Sequence, residues 1–320
     1  MGSKPLVRPP RLVSDSRIGL VAPAGPLLER DDLTRAQELC RALGYQPVLG
    51  KNTHRRLGYL AGTDEERITD LNSALRDSSI DAIWCIRGGY GSLRLLDQVD
   101  YAAMADRPKA LIGFSDATAL LNAIHRLTGV VTFHGPVARS GMTAFSRLHW
   151  ERVLTSAEPA GRLSRLPSPP DILVSPDSRI VSLCGGVAEG PLAGGNLTLL
   201  QCLIGTPYFP ELAGAILFLE DVGEDLYRVD RMLAHLRLLG ALRRLAGVLV
   251  GRFTELKRSG GDGALGFDEV LASYFEPLDI PVAYGFPVGH IESQWTLPIG
   301  VRARLDADRG EVELLEAAVA

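Results

Sequence analysis

Short apolar runs alternate with stretches of helical period through the first half of the chain. Arg17–Ala22 (RIGLVA) is mostly apolar and is closed by Pro23 and Gly25, the pattern of a buried strand. Asp32–Leu43 is amphipathic at helical spacing and stops at Gly44, a residue suited to the position just past a helix end. Tyr45–Leu49 reads as a second strand. Thr63 followed by Asp64, Glu65 and Glu66 supplies a cap and an acidic first turn, predicting a helix to about Arg76. Ile80–Ile86 (IDAIWCI) predicts a third strand, stopped by Arg87-Gly88-Gly89-Tyr90-Gly91. A fourth strand over Ala110–Gly113, a helix over Asp116–Leu127 and a fifth strand over Val130–Phe133 complete the series. Such alternation predicts a parallel sheet with helices on both faces.

From about Arg139 to Arg179 the periodicity breaks, and Leu166-Pro167-Ser168-Pro169-Pro170 reads as a stiff linker or surface loop. Beyond it the strands are shorter and glycine is more frequent. Strands are expected at Ile180–Leu183, Ala215–Glu220, Val248–Val250, Pro281–Tyr284 and Arg302–Leu305, and helices at Leu197–Ile204 and Leu226–Leu239. The expected fold class is α/β. An N-terminal parallel α/β domain over 1–145 is followed by a linker or loop segment over 146–182 and a strand-rich mixed α/β domain over 183–320.

Composition agrees with two packed domains: 320 residues, 46% hydrophobic and 22% charged. A net charge of -4 and a pI near 5.9, with no Lys/Arg block, disfavour nucleic acid and anionic membranes as partners. No apolar run approaches the ~20 residues of a membrane span. The N-terminal stretch lacks the apolar core of about 7–15 residues that a secretory signal carries. Cys40, Cys85, Cys184 and Cys202 are scattered, without C-x-x-C spacing, and are expected reduced and buried in a cytoplasmic protein.

The chemistry concentrates at a few turns. Leu111-Ile112-Gly113-Phe114-Ser115-Asp116 passes from a buried strand straight into a helix, the geometry of a nucleophile elbow. The Asp116 amide would then lie at a helix N-terminus, where an oxyanion is stabilised. Ser115 or Asp116 could equally be a plain helix cap, and Ala117 stands where G-x-S-x-G has its second glycine. The Arg87–Gly91 loop should share the same sheet edge, because ligands sit at the carboxyl ends of parallel strands. Gly88 or Gly89 could offer a second oxyanion amide, Arg87 could hold a substrate carboxylate, and the loop could also be only a tight turn. Two histidines end strands beside small residues, His134 and His290, and the residues alone do not choose between them. Gly214–Glu220 (GAILFLE) ends an apolar strand in a carboxylate that should be paired, with Asp221 as its rival.

Gly113-Phe114-Ser115-Asp116, Phe218-Leu219-Glu220-Asp221 and Gly285-Phe286-Pro287-Val288-Gly289-His290 resemble the three motifs of the LD-carboxypeptidases, a family that includes the microcin C immunity peptidases. Ala22-Pro23-Ala24-Gly25, the Arg87–Gly91 loop, Phe133-His134-Gly135-Pro136 and Gly194-Gly195-Asn196-Leu197 match in the family's order, from about residue 17 to 305. The resemblance implies a Ser115–His290–Glu220 triad. It also implies an oxyanion hole from the Asp116 amide and a glycine amide at Gly88 or Gly89. Arg87, Tyr90, His134 and Asn196 stand at positions that would line the substrate site. It implies an N-terminal domain of flavodoxin-like or amidotransferase-like type, a homodimer and no metal or cofactor. The substrate it implies is a murein tetrapeptide that loses its terminal D-alanine from an L,D bond during cell-wall recycling.

Three alternatives are weighed against this. An immunity-type peptidase acting on an aminoacyl-nucleotide would use the same triad. It would want an aromatic residue in the irregular segment to stack on a base, yet none lies between Leu163 and Arg179, and Trp150 is the nearest before it. A silent binding module would not need a complete triad. A glutaminase-like amidotransferase would need cysteine where Ser115 stands.

Overall fold

The computed structural model describes residues 4–29, 31–168, 179–257 and 265–320. Its first sheet has six strands. Five of them, β1 (Arg17–Val21), β2 (Gln46–Leu49), β3 (Ala82–Cys85), β4 (Ala110–Gly113) and β5 (Thr132–His134), run parallel in the order β2-β1-β3-β4-β5. That is the doubly wound, flavodoxin-like order, and it bears out the expected α/β class. β1, β3 and β4 are buried almost throughout, as strands covered on both faces must be. The sixth strand, β12 (Leu297–Ile299), was not anticipated. It returns from late in the chain and pairs antiparallel with β5.

The helices of this half follow the polar pattern. α1 spans Asp32–Ala42 and α2 Asp64–Arg76. The Thr63 hydroxyl accepts from the Glu66 amide at 3.1 Å and the Glu66 carboxylate accepts from the Thr63 amide at 2.9 Å, the reciprocal cap that the sequence predicts. A short α3 (Tyr101–Asp106) precedes β4, and α4 (Thr118–Thr128) follows it, ending on Gly129 in the left-handed conformation.

The expected linker at 146–182 is corrected at its start. Thr143 caps a regular helix, α5 (Ala144–Leu154), whose Trp150 is fully buried with its ring 4.4 Å from that of Trp84. Its apolar positions pack on the first sheet, which the weak helical period had hidden. Pro169, Pro170 and most of the stretch to Arg179 lie outside the described residues.

The second sheet has eight strands: β6 (Gly161–Arg162), β7 (Val181–Cys184), β8 (Val187–Asn196), β9 (Ile216–Val222), β10 (Gly247–Thr254), β11 (Val282–Tyr284), β13 (Arg302–Asp306) and β14 (Glu311–Leu314). β8, β9, β10 and β11 are parallel, and β13, β14, β6 and β7 extend the sheet antiparallel, so it is mixed as expected. α6 (Leu197–Cys202), α7 (Leu226–Leu238) and α8 (Phe267–Phe275) accompany it, and their buried leucines, valines and Phe275 form a second core with β9 and β10. No helix among the described residues is long and apolar enough to cross a membrane. The cysteines are free, but only Cys40 and Cys85 are buried; Cys184 is half-buried and Cys202 exposed, against the expectation that all four would be inside.

Candidate active site

The two sheets are held in register next to β4. The Asn196 amide at the end of β8 donates to Thr118 Oγ1 at 3.1 Å, and Asn122 Nδ2 of α4 donates to the Gly194 carbonyl at 2.9 Å. Asn196 also pairs with Glu220 across β8 and β9. The carboxyl end of β9 is therefore fixed against the turn that leaves β4. A third segment, after β11, is tied in by Thr143 Oγ1 to Ser293 Oγ (2.8 Å) and by the Gln294 amide to Ser146 Oγ (2.9 Å).

Three expected side chains meet here. His290 Nε2 is 3.0 Å from Ser115 Oγ, and His290 Nδ1 is 2.7 Å from Glu220 Oε2. Ser115 has φ of 62°, left-handed backbone that a non-glycine residue adopts at a cost of about 1–3 kcal/mol. Neither Ser115 nor Asp116 caps α4 with its side chain, and the turn instead turns the Ser115 hydroxyl toward His290. The departure at Ala117 is absorbed at Gly113, where a Cβ would stand 2.9 Å from the Ala117 methyl. The two neighbouring acids have different partners. Asp221 turns to the opposite face of β9 and accepts from Asn196 Nδ2 (2.9 Å) and from the Thr198 amide and hydroxyl (3.0 and 2.9 Å), while Glu220 faces His290.

Glu220 is fully buried, and burial, partly offset by His290, raises its pKa. At His290, burial is the largest influence and works against the charged ring. The hydrogen bond and charge of Glu220, helped by Asp221 and Glu255, outweigh it, so the pKa of His290 stands above its ordinary value. The ring also packs edge-on against Phe114, with centroids 4.9 Å apart.

The glycine loop lies directly over the hydroxyl. A Cβ at Gly88 would sit 2.9 Å from Ser115 Cβ and 3.0 Å from its Oγ, so only glycine permits this approach. The Gly88 carbonyl accepts from the Gly25 amide at 3.0 Å, which gives the Ala22–Gly25 segment its place in the site. Two residues that the sequence did not single out for this task hold the turn. The Asp116 carboxylate accepts from the Gly91 and Ser92 amides at 3.3 and 2.8 Å, and its carbonyl accepts from Ser92 Oγ at 2.5 Å. Arg67, buried in the first turn of α2, donates to the Pro23 and Gly91 carbonyls and pairs with Asp64. An arginine on a helix reads as a solvated face, so nothing in the pattern flagged it. Asp116→Asn sets an amide against these donors. It is expected to cost about 1–3 kcal/mol of stability and to lower turnover by displacing the turn; equilibrium unfolding and steady-state kinetics would check both.

The remaining expected residues fall in different places. Arg87 is half-buried and donates to the Pro26 carbonyl. Tyr90 is exposed, edge-on to exposed Tyr59 with ring centroids 5.5 Å apart. Asn196 does not face open space: its Oδ1 caps α6 through the Leu199 amide (3.2 Å) and its Nδ2 holds Asp221. His134 is also withdrawn, fully buried between Phe114 and Phe218 with neither ring nitrogen hydrogen-bonded. Burial, and then the charge of His290, push its pKa from 6.5 down to about 3. The unfolded chain thus takes up a proton near pH 6.5 that the folded chain refuses until about pH 3, and stability falls as the pH drops through that window. His134→Phe should flatten the acid loss by about 1.4 kcal/mol per pH unit between those limits, read from urea unfolding at several pH values. Among the described residues no cluster of histidines, cysteines and carboxylates could hold a metal ion.

Comparison with known proteins gives two successive family matches: the LD-carboxypeptidase N-terminal domain over residues 18–135 and the LD-carboxypeptidase C-terminal domain over 189–305. The murein tetrapeptide carboxypeptidase of Pseudomonas aeruginosa is 36% identical over 304 residues, covering 92% of this chain and 94% of that one. The microcin C7 self-immunity protein of Escherichia coli is 29% identical, covering 98% and 97%. In structure, a microcin C7 self-immunity protein superposes with a TM-score of 0.87 at 26% identity over 98% of this chain and 99% of that one. The muramoyltetrapeptide carboxypeptidase of Oxalobacter formigenes gives 0.78 at 32% identity over 93% and 98%.

Proposed function

Because the chain belongs to the LD-carboxypeptidase family, we propose that it is a serine carboxypeptidase that hydrolyses an L,D peptide bond and releases the terminal D-alanine of murein tetrapeptide. The observation that carries the reading is the continuous relay from Ser115 Oγ through His290 to Glu220, at 3.0 and 2.7 Å, on a strained turn. His290 Nε2 takes the hydroxyl proton as Oγ attacks the scissile carbonyl, forming the C–O bond and moving the carbonyl electron pair onto oxygen. The imidazolium then gives its proton to the leaving amine as the C–N bond breaks. Water repeats the sequence on the acyl-enzyme and restores Ser115. Glu220 holds the Nδ1–H tautomer and stays ionised, which its hydrogen bond and the charge of the imidazolium favour against the cost of burial.

The Asp116 amide is one donor to the oxyanion. Gly89 is the better second donor. The Gly88 carbonyl points at Gly25, and in a trans peptide the following N–H points the opposite way. The reading extends to a homodimer in the cytoplasm, working on recycled cell-wall peptides without a metal or cofactor.

The larger structural overlap with the microcin immunity protein, 0.87 against 0.78, favours a second substrate class, since relatives of that kind bind aspartyl sulfamoyl adenosine. Trp150, the nearest aromatic residue before the Leu163–Arg179 stretch, is locked in the core against Trp84 and is not available to stack on a base. Turnover of murein tetrapeptide and of aspartyl sulfamoyl adenosine, measured side by side, decides. The tetrapeptide is expected to lead in kcat/KM by about 100-fold or more; the reverse ranking would transfer the chain to the nucleotide-peptide class.

A further inference from the structure

His290 rides on the loop between β11 and β12, and the residues on its two sides are held by different parts of the molecule. Before it, the Gly285 amide donates to the Val250 carbonyl at 2.9 Å and the Val288 carbonyl accepts from the Arg252 amide at 2.8 Å, so this side is fixed to β10. Gly285 and Gly289 have left-handed φ, 95° and 117°, which gives the loop a backbone freedom that its neighbours must remove. After His290 the fixings run to α5 and to what α5 holds. Ser293 Oγ is 2.8 Å from Thr143 Oγ1, the Gln294 amide donates to Ser146 Oγ at 2.9 Å, and the Trp295 indole donates to the Ser164 carbonyl at 2.8 Å. The Trp295 amide also donates to the Pro287 carbonyl at 2.8 Å, so Trp295 closes the stretch that carries His290.

Ser164 is in turn held by His149. Its amide donates to His149 Nε2 at 3.1 Å, and His149 Nδ1 is 2.9 Å from the Phe145 carbonyl. An amide only donates and a carbonyl only accepts, so the ring is neutral with its proton on Nδ1. Burial acts in the same sense and pushes its pKa down to about 4. His149 is fully buried, its ring centroid lies 6.0 Å from that of Trp295, and it stands one turn beyond Ser146 on the same face of α5. The Leu163 amide, next to Ser164, donates to Val312 of β14 at 2.8 Å. The strut from His149 through Ser164 to Trp295 therefore joins α5, the second sheet and the loop of the base. That loop has little tolerance. His290 Nε2 is 3.0 Å from Ser115 Oγ and Nδ1 is 2.7 Å from Glu220 Oε2, and a slip of about 1 Å is enough to break both hydrogen bonds.

We propose that His149 is a positioning residue for the reaction: through Ser164 and Trp295 it fixes the loop that holds His290 between Ser115 and Glu220. Its effect on turnover rests on the peptidase reading above; its effect on His290 rests on the hydrogen bonds alone.

The test compares three variants. His149→Phe keeps a ring in the buried site but offers no acceptor to the Ser164 amide, His149→Gln has a side-chain oxygen that can accept from it, and Ser146→Ala removes the acceptor of the Gln294 amide. Each is read by release of D-alanine from murein tetrapeptide, per site titrated with a serine-reactive phosphonate, and by the proton resonance of His290 Nδ1–H, which its bond to Glu220 shifts far downfield. His149→Phe is expected to lower kcat about 10–100-fold with KM changed less than about twofold, and to broaden the resonance or move it upfield. Ser146→Ala should act in the same direction, and it carries the test if His149→Phe does not fold. His149→Gln should recover most of the rate and the resonance. An unmoved resonance in folded His149→Phe and Ser146→Ala would overturn the proposal and leave His149 a purely structural residue; so would a His149→Gln chain as impaired as His149→Phe. If the unmodified chain releases D-alanine while the resonance stays unmoved, only this inference falls. If the unmodified chain releases none, the peptidase reading falls, and the resonance still decides whether His149 places His290.

Discussion

Ser115→Ala is expected to lower turnover by about 10⁴–10⁶-fold while leaving the melting temperature nearly unchanged. Alanine keeps the backbone of the elbow, including its left-handed φ of 62°, and removes only the oxygen within reach of His290. The residual rate would come from binding and the oxyanion amides alone. Ser115→Gly gives a second reading of the same turn. It should be equally inactive yet more stable by about 1 kcal/mol, because glycine adopts this conformation without strain. Substantial turnover in either variant would remove Ser115 from the nucleophile's role, and an unstabilised glycine variant would mean that the turn is not strained.

Glu220→Gln and His290→Ala should each cost about 10⁴-fold in kcat, and the pH profile tells them apart from a general loss of structure. The relay works with His290 neutral. Since Glu220 holds the His290 pKa above its ordinary value of 6.5, activity should rise with pH along a limb centred above that value. Glu220→Gln removes the hydrogen-bonded charge but leaves the burial that opposes protonation, so the limb of the residual activity should move to lower pH. A limb that does not move would show that Glu220 does not set the proton affinity of His290. His134→Ala should be milder than His290→Ala, as His134 is neutral and walled off by Phe114 and Phe218. The opposite ranking would reassign the base.

Much of this was legible in the residues because the relevant signals are local. The first five strands alternate with α1, α2 and α4 at the spacing of a parallel sheet. Ser115 and Glu220 sit where apolar strands end. The proper partner histidine was not legible from chemistry, since His134 and His290 both end short segments beside glycine and proline; only the shared motifs, and then the 3.0 Å approach to Ser115, separate them. β8 escaped the pattern because Gly190, Gly194 and Gly195 break the apolar alternation. They are needed because the Gly214 carbonyl, the Phe218 backbone of β9 and Thr118 stand where their side chains would be. β12 escaped because three residues carry no period, and its place beside β5 depends on a chain reversal. Asn196 stood at a motif position, yet its amide is consumed in capping α6 and holding Asp221. Arg67 owes its role to neighbours distant in sequence, Pro23 and Gly91.

Free D-alanine released from murein tetrapeptide, followed in time for the unmodified chain and for Ser115→Ala at equal concentration, tests the central claim most directly. The account predicts one D-alanine per tetrapeptide and a tripeptide product from the unmodified chain, with release by the variant at or near background. Release that persists in Ser115→Ala, or cleavage at any bond other than the last, would contradict it.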